Sequence, residues 1–328
     1  MSVILGLVEH DGEAPTSLSL EMLTFGRDLA ERLNLPLHGI LIGREGRAAA
    51  GRLGAFGVSA AHVAELDGVD DYAPGAWAQG LVELIDAHAP EAVLAPGSDR
   101  GNEVMAHLAA RADLPMVAGV TDVRPQEPWQ VTRQRWGGSL LEEARLRGTV
   151  KLLTVAPHAV QTEESTVGGE IAIDAWTPTL SDDDRRVRVS GRVEADADRV
   201  SLPEARVVVG GGRGVGSPQG FAALEELAGL LGGTVGVSRV VTSLGWRPHS
   251  DQVGQTGTRI APDIYIACGI SGAIQHMVGC KGAKHILAIN SDPEAPIVAK
   301  ADSAIIGDLT AIVPALSAEI RKARGGSG

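Results

Sequence analysis

A near-continuous apolar run from Val3 to Val8 is followed by Leu18, Met22, Phe25, Leu29 and Leu33 at helical spacing. This pairing constrains the chain more than any other feature, because it then repeats. An apolar run without polar alternation suits a strand buried on both faces, and burial on both faces requires helices above and below a parallel sheet. Further strands are expected at Leu37–Ile42, around Ala61–Leu66 and at Ala92–Ala95. Helices are expected near Arg47–Phe56, at Gly75–His88 and from about Gly101 to Ala112. The βαβα order predicts an α/β fold with a parallel sheet. From Val117 to Val155 the pattern changes to extended pieces separated by Gly137-Gly138 and Gly148, a hairpin-type addition to that sheet.

The run SDDDRRVRVSGRVEADADRV is charged and short of core positions. It reads as an interdomain linker, with an edge strand as the other reading. After it the alternation resumes. Strands are expected at Arg206–Val209, Thr234–Val237, Ile264–Ala267 and Ile286–Ile289, with a short extended piece near Ala304–Ile306. Helices are expected at Pro218–Leu231, Gly272–Gly279 and Leu309–Ala323. The expectation is two α/β domains, each a mainly parallel sheet flanked by helices. The first spans 1–202, with a charged, hinge-forming linker at about 180–202. The second spans 203–328.

A net charge of −12 argues against nucleic acid as the main partner, because phosphate binding needs clustered Lys and Arg. With 42 glycines and only 3% aromatics, backbone turns around a small ligand are favoured over stacking platforms. Cys268 and Cys280 cannot build a disulfide framework, which fits a reducing, cytoplasmic setting. No targeting peptide is read at the start, and no apolar run approaches the roughly 20 residues that span a bilayer, so membrane insertion is not expected. The nine histidines show no metal-ligand spacing, and no metal is expected.

Polar residues gather at the expected strand ends of the second half. GGGRGVGS follows Val209, Ser238-Arg239 follows Val237, CGISG follows Ala267, Asn290 follows Ile289, and Gly307-Asp308 follows Ile306. In a doubly wound sheet these ends line the ligand crevice, and helix N-termini there favour phosphate. The Gly-rich loop is not a Walker A motif, because no Lys-Ser/Thr follows Gly216. It also misses G-x-G-x-x-G, since Gly212 and Gly214 would require glycine at Ser217. Taken alone it also reads as a flexible turn. The loop Gln252-Val253-Gly254-Gln255-Thr256-Gly257 offers amides and N–H groups to a planar ring, or is simply a polar surface loop.

These residues also carry a family resemblance. SRVVTSLGWRPHSDQVGQTG and YIACGISGAIQHMVGCKGAKHILAIN resemble the alpha subunit of electron-transfer flavoproteins, densely over about residues 205–320. APGSDRGNE and RWGGSLLEEARL fit the same layout more loosely. The resemblance implies a Rossmann-like, FAD-binding second domain and an electron carrier rather than an enzyme. It implies pairing with a beta subunit that carries AMP or a second FAD. Electrons would come from flavin-dependent dehydrogenases of acyl-CoA (fatty acid beta-oxidation) or amine type and pass to a quinone oxidoreductase. By match to the family, FAD contacts are expected from Arg213, Ser238, Arg239, Gln252, Val253, Gly254, Gln255, Thr256, Ser271, Gly272, Ala273, Ile274, Gln275, His276, Asn290, Asp308 and Leu309. The resemblance places Arg239 over the isoalloxazine, Thr256 near N5, His276 near O2, the Gly272 helix start at the ribityl phosphate, and Asn290 and Asp308 at the adenosine end.

A flavin reduced one electron at a time gathers negative charge near N1 and O2. A cation about 4 Å away at an effective dielectric of ~20 contributes on the order of 4 kcal/mol, a ceiling of roughly 170 mV. Arg239 and His276 are therefore expected to tune potential rather than move protons. Ser243, Arg247, His249 and Asp251 depart from the family pattern, with Arg247 and His249 adding positive character. The cysteines read as inert, near-core thiols, and Ser98-Asp99 as a helix cap. The other readings are an NAD(P)-dependent oxidoreductase subunit, an NADH-linked bifurcating flavoprotein, and a non-catalytic nucleotide-binding scaffold.

Overall fold

A computed structural model describes residues 2–69, 71–136, 140–166, 168–191, 200–203 and 205–325. The chain divides into two units, Met1–Val193 and Glu194–Gly328. The Gly137-Gly138 turn and residues 192–199 of the expected linker lie outside the described residues.

In the first unit the elements run β1 (Ile4–Leu7), α1 (Ser17–Leu33), β2 (Leu37–Ile42), α2 (Gly46–Ala50), β3 (Ala60–Ala64), α3 (Pro74–His88), β4 (Ala92–Pro96) and α4 (Asp99–Ala112). They continue with β5 (Met116–Arg124), β6 (Trp129–Arg135), β7 (Leu140–Leu146), β8 (Lys151–Val155) and β9 (Ala172–Trp176). One nine-stranded sheet results, in the order β7-β6-β5-β8-β4-β1-β2-β3-β9. Only the β5–β6 and β6–β7 pairs are antiparallel. Two apolar clusters fill its two faces, one around Ile4, Leu41 and Val63 and the other around Leu5, Ile40 and Val93. That is why the strands read as unbroken apolar runs.

In this unit two elements differ from the sequence expectation. The helix expected over Arg47–Phe56 breaks into α2 and a separate 3₁₀ turn, Leu53–Phe56, with Gly51 at the break. β9 was not expected, because its residues are largely exposed and carry no apolar run; it pairs with β3 at the sheet edge. Ser98 caps α4 as anticipated, its Oγ accepting from the Gly101 N–H at 2.8 Å. No helix is long and apolar enough to cross a membrane among the described residues.

The histidines, scattered in sequence, are partly gathered by the fold. His38 Nδ1 lies 3.0 Å from His62 Nε2, and His62 Nδ1 lies 2.8 Å from the Asp174 carboxylate on β9. The His88 ring packs on both, with centroid distances of 4.7 Å to His62 and 6.1 Å to His38. No group of three or more His, Cys, Asp or Glu among the described residues is arranged to hold a metal ion. Burial first, then the neighbouring imidazoles, pushes His38 from 6.5 down to about 4, and His88 is lowered for the same reasons. The folded state thus resists protons that the unfolded chain takes up below its ordinary 6.5. Stability is full above that pH and falls as pH drops toward 4. Denaturant midpoints measured across this window should decline, and His38→Asn should flatten the decline.

The second unit runs β10 (Val207–Gly211), α5 (Phe221–Leu230), β11 (Thr234–Val237), α6 (Arg239–Ser243), β12 (Ile264–Cys268), α7 (Ile274–Cys280), β13 (His285–Asn290), β14 (Ser303–Ile306) and α8 (Leu309–Gly325). Its five strands are all parallel, in the order β11-β10-β12-β13-β14. α5 and α8 cover one face through Phe221, Leu224, Leu227 and Val313. The other face is covered by Val253, Ile260, Ile270, Cys280 and Ile297.

Candidate functional site

The strand order reverses direction between β10 and β12, which is the topological switch point where such sheets hold ligands. A cleft of about 720 Å³ opens there. Arg213, Ser238, Ser271, Asn290, Asp308 and Leu309 line it, and each stands at or just beyond a strand end. The sequence reasoning missed Val240, Ile270, Ser291, Asp292 and Ala295, which also line it. No spacing motif marks them: the fold of the 291–297 turn brings in Ser291, Asp292 and Ala295, while Val240 comes from the short helix α6 and Ile270 from the turn after β12.

The polar groups of the cleft divide into those already engaged and those left open. The Asn290 amide nitrogen donates to the Ile270 carbonyl at 2.9 Å, and its oxygen accepts from the Asp292 N–H at 3.1 Å. Asn290 thereby ties the ends of β12 and β13 together. Asp308 accepts from the Thr310 N–H and hydroxyl at 2.9 and 2.8 Å, which caps α8 and lowers its pKa. Ser238 is different. It stands at the N-cap of α6 without making a cap bond, and its buried Oγ has no partner. Arg213 in the cleft wall is exposed and meets no carboxylate among the described residues; Arg239, which opens α6 next to Ser238 but does not line the cleft, is exposed and unpaired in the same way. A buried hydroxyl without a partner is costly unless a ligand satisfies it.

Gln252, Val253, Gly254, Gln255 and Thr256 form a loop that lies against α7 rather than in the cleft wall. Val253 N–H donates to the Val237 carbonyl at 2.8 Å, and Gln255 N–H to the Gln275 carbonyl at 2.7 Å. Gly279 of α7 has no room for a side chain: a Cβ there would stand 2.3 Å from the Gly254 nitrogen. Gln252 is buried, and both ends of its amide are used. Thr242 Oγ1 donates to Gln252 Oε1 at 2.6 Å, and Gln252 Nε2 donates to Thr256 Oγ1 at 3.1 Å. The exposed Thr256 hydroxyl therefore keeps its own proton for an outside acceptor.

Of the α7 entry, Ser271, Ala273, Ile274 and Gln275 are exposed, while Gly272 and His276 are buried. Ile274 is 72% exposed, an apolar side chain without cover at the edge of this site. His276 Nε2 lies 2.8 Å from the hydroxyl of Tyr265, a fully buried residue on β12 that reads in sequence as plain core. Arg247, expected to add positive character, is instead paired with Glu225 and stacked 5.0 Å over the Phe221 ring. Burial pushes the thiols up, Cys268 to about 12 and Cys280 to about 11. Neither is a thiolate at neutral pH.

The arrangement suits a long anionic nucleotide cofactor. The cleft is of ligand size. It offers an unsatisfied buried hydroxyl, an open arginine at one wall, and a neighbouring loop that presents a hydroxyl donor beside exposed apolar surface.

Comparison with known proteins agrees. Residues 4–181 match the family described as electron transfer flavoprotein domain, and residues 201–281 match the electron transfer flavoprotein FAD-binding domain. An electron transfer flavoprotein subunit alpha of Mycobacterium leprae is 36% identical over 329 residues, covering 99% of this chain and 100% of the relative. One of Bacillus subtilis is 34% identical over 321 residues, covering 98% and 97%. Protein FixB of Bradyrhizobium diazoefficiens is 36% identical over 311 residues, covering 93% and 84%.

Proposed function

Because this chain belongs to the electron transfer flavoprotein alpha-subunit family, we propose that it is the FAD-holding half of a two-subunit electron carrier. Its partner is a beta subunit that carries AMP or a second FAD. Electrons arrive from flavin-dependent dehydrogenases, of acyl-CoA or amine type, and leave to a quinone oxidoreductase. The observation that carries the reading is the cleft at the β10/β12 switch point, with Ser238 Oγ buried and unpartnered in its wall.

Bound FAD supplies the electron-accepting and electron-donating chemistry; the chain supplies binding and electrostatics. Arg213, open in the cleft, would neutralise the pyrophosphate, and Ser238 would donate its free hydroxyl alongside. Asn290 keeps the cleft floor shaped by its two backbone bonds, and the Asp308-Leu309 turn closes the far end. The loop from Gln252 to Thr256 and the turn from Ser271 to Gln275 would hold the redox ring. Thr256 would offer its proton as a donor, Ile274 would cover apolar ring surface, and the unpaired positive charge of Arg239 would favour added electron density.

Co-expression of the full chain with its beta subunit tests this. The purified complex should be yellow, with acid releasing FAD at one or two equivalents per heterodimer. Titration with NADH should leave the flavin oxidised, whereas catalytic dehydrogenase plus its substrate should bleach it. A colourless, correctly assembled complex would refute the reading. Bleaching by NADH alone would move the chain to an NADH-linked flavoprotein.

A further inference from the structure

Tyr265 does not line the cleft, yet among the described residues its hydroxyl is the one side-chain hydrogen-bond partner of His276. The ring is fully buried, and the space it occupies is reserved. A Cβ at Gly210 on the adjacent strand β10 would fall 2.2 Å from the Tyr265 oxygen. A residue other than glycine there would displace the hydroxyl from His276.

The direction of the Tyr265–His276 hydrogen bond follows from the groups on either side of the imidazole. Among the described residues Nδ1 is buried without a hydrogen-bond partner, and the buried Tyr265 hydroxyl has no acceptor other than Nε2. A proton on Nε2 would leave both the tyrosine O–H and Nδ1 unpartnered in the core, whereas a proton on Nδ1 lets the tyrosine donate and leaves only one group open. With the proton on Nδ1, Nε2 is an acceptor, and the tyrosine must be the donor.

We propose that Tyr265 is a positioning residue for His276: its hydroxyl donates to Nε2 and so locks the ring in the neutral tautomer that carries its proton on Nδ1. Three neighbouring facts agree. Burial lowers the imidazole to about 4, so the ring is uncharged at neutral pH. Burial raises the Tyr265 hydroxyl well above 10, so it keeps its proton. The other titratable groups acting on the tyrosine, Cys268 and Cys280, are themselves neutral thiols. On this proposal His276 acts on the cofactor as a fixed dipole, in place of the charge-based tuning expected of it beside Arg239. The relevance to FAD rests on the placement of His276 at the flavin proposed above.

The test uses the full chain with its beta subunit, FAD-loaded, with ¹⁵N-labelled histidine, and reads the two ring nitrogens of His276 by two-bond ¹⁵N–¹H spectra. The expected pattern is a protonated Nδ1 and an acceptor Nε2, unchanged between pH 5.5 and 8.5. Tyr265→Phe keeps the ring and removes only the hydroxyl. It should shift Nε2 toward a free acceptor, populate the second tautomer, and weaken FAD retention by up to about tenfold. A proton on Nε2 in the unaltered protein would overturn the proposal without any variant. So would a Tyr265→Phe spectrum identical to the parent. If the tautomer is as stated but neither nitrogen resonance moves on removing FAD, the tyrosine's role stands and the contact between His276 and flavin is wrong.

Discussion

Gly279→Ala should purify with little or no flavin. The Cβ it adds would stand 2.3 Å from the Gly254 nitrogen and 2.4 Å from its Cα. Both are backbone atoms, and neither can swing aside as a side-chain tip would. Either α7 or the Gln252–Thr256 loop must move, and two hydrogen bonds resist: Gln255 N–H to Gln275 O at 2.7 Å and Ile260 N–H to Gly279 O at 2.8 Å. Overpacking of this kind costs roughly 1–3 kcal/mol. Since about 1.4 kcal/mol is tenfold in affinity, the FAD dissociation constant should rise roughly 10- to 100-fold. Acid-released flavin per chain and equilibrium titration of the stripped complex measure this. Gly229→Ala is the control, because a Cβ there meets nothing within 4 Å. Full flavin occupancy in Gly279→Ala would show that the close approach of α7 does not hold the binding loop.

Arg239→Ala should lower the potential of the first electron transfer to the bound flavin while leaving FAD in place. Arg239 opens α6, is exposed, and has no carboxylate to quench it among the described residues. Its exposure decides the size of the effect. The ceiling of roughly 170 mV assumes a shielded pair; for an exposed charge the water limit of about 1 kcal/mol applies, which is roughly 45 mV for one electron. The shift should shrink as salt is raised from low to physiological strength, since exposed charges are screened within ~8–10 Å. Arg239→Lys should restore most of it. A spectroelectrochemical titration that superimposes on the parent, with FAD still bound, would remove Arg239 from potential tuning.

The inner strands of both sheets were legible because their residues are apolar on both faces. Val208 and Val209 sit in different clusters on opposite sides of the second sheet, so neither position could be polar. The site was legible where chemistry sits at strand ends. Arg213, Ser238, Ser271, Asn290 and Asp308 are polar residues directly after apolar runs, and the parallel order brings them to one edge. What escaped depends on tertiary approach. β9 is an exposed edge whose pairing comes from β3, not from its own composition. α6 has five residues, too few to show periodicity. Tyr265 looks like any core aromatic until Gly210 is seen to leave space for its hydroxyl. His38, His62 and His88 meet only because β2, β3 and the end of α3 are adjacent.

β8 is made after β5, β6 and β7, yet it lies between β4 and β5. On the ribosome, strands up to Leu146 emerge while the slot for Lys151–Val155 is still empty. Until it is filled, β4 and β5 each present a bare row of backbone donors and acceptors, the kind of edge that pairs with other chains. A nascent or truncated chain ending before residue 151 should therefore be sticky and chaperone-dependent, and the five residues of β8 are the keystone whose arrival makes the first sheet continuous.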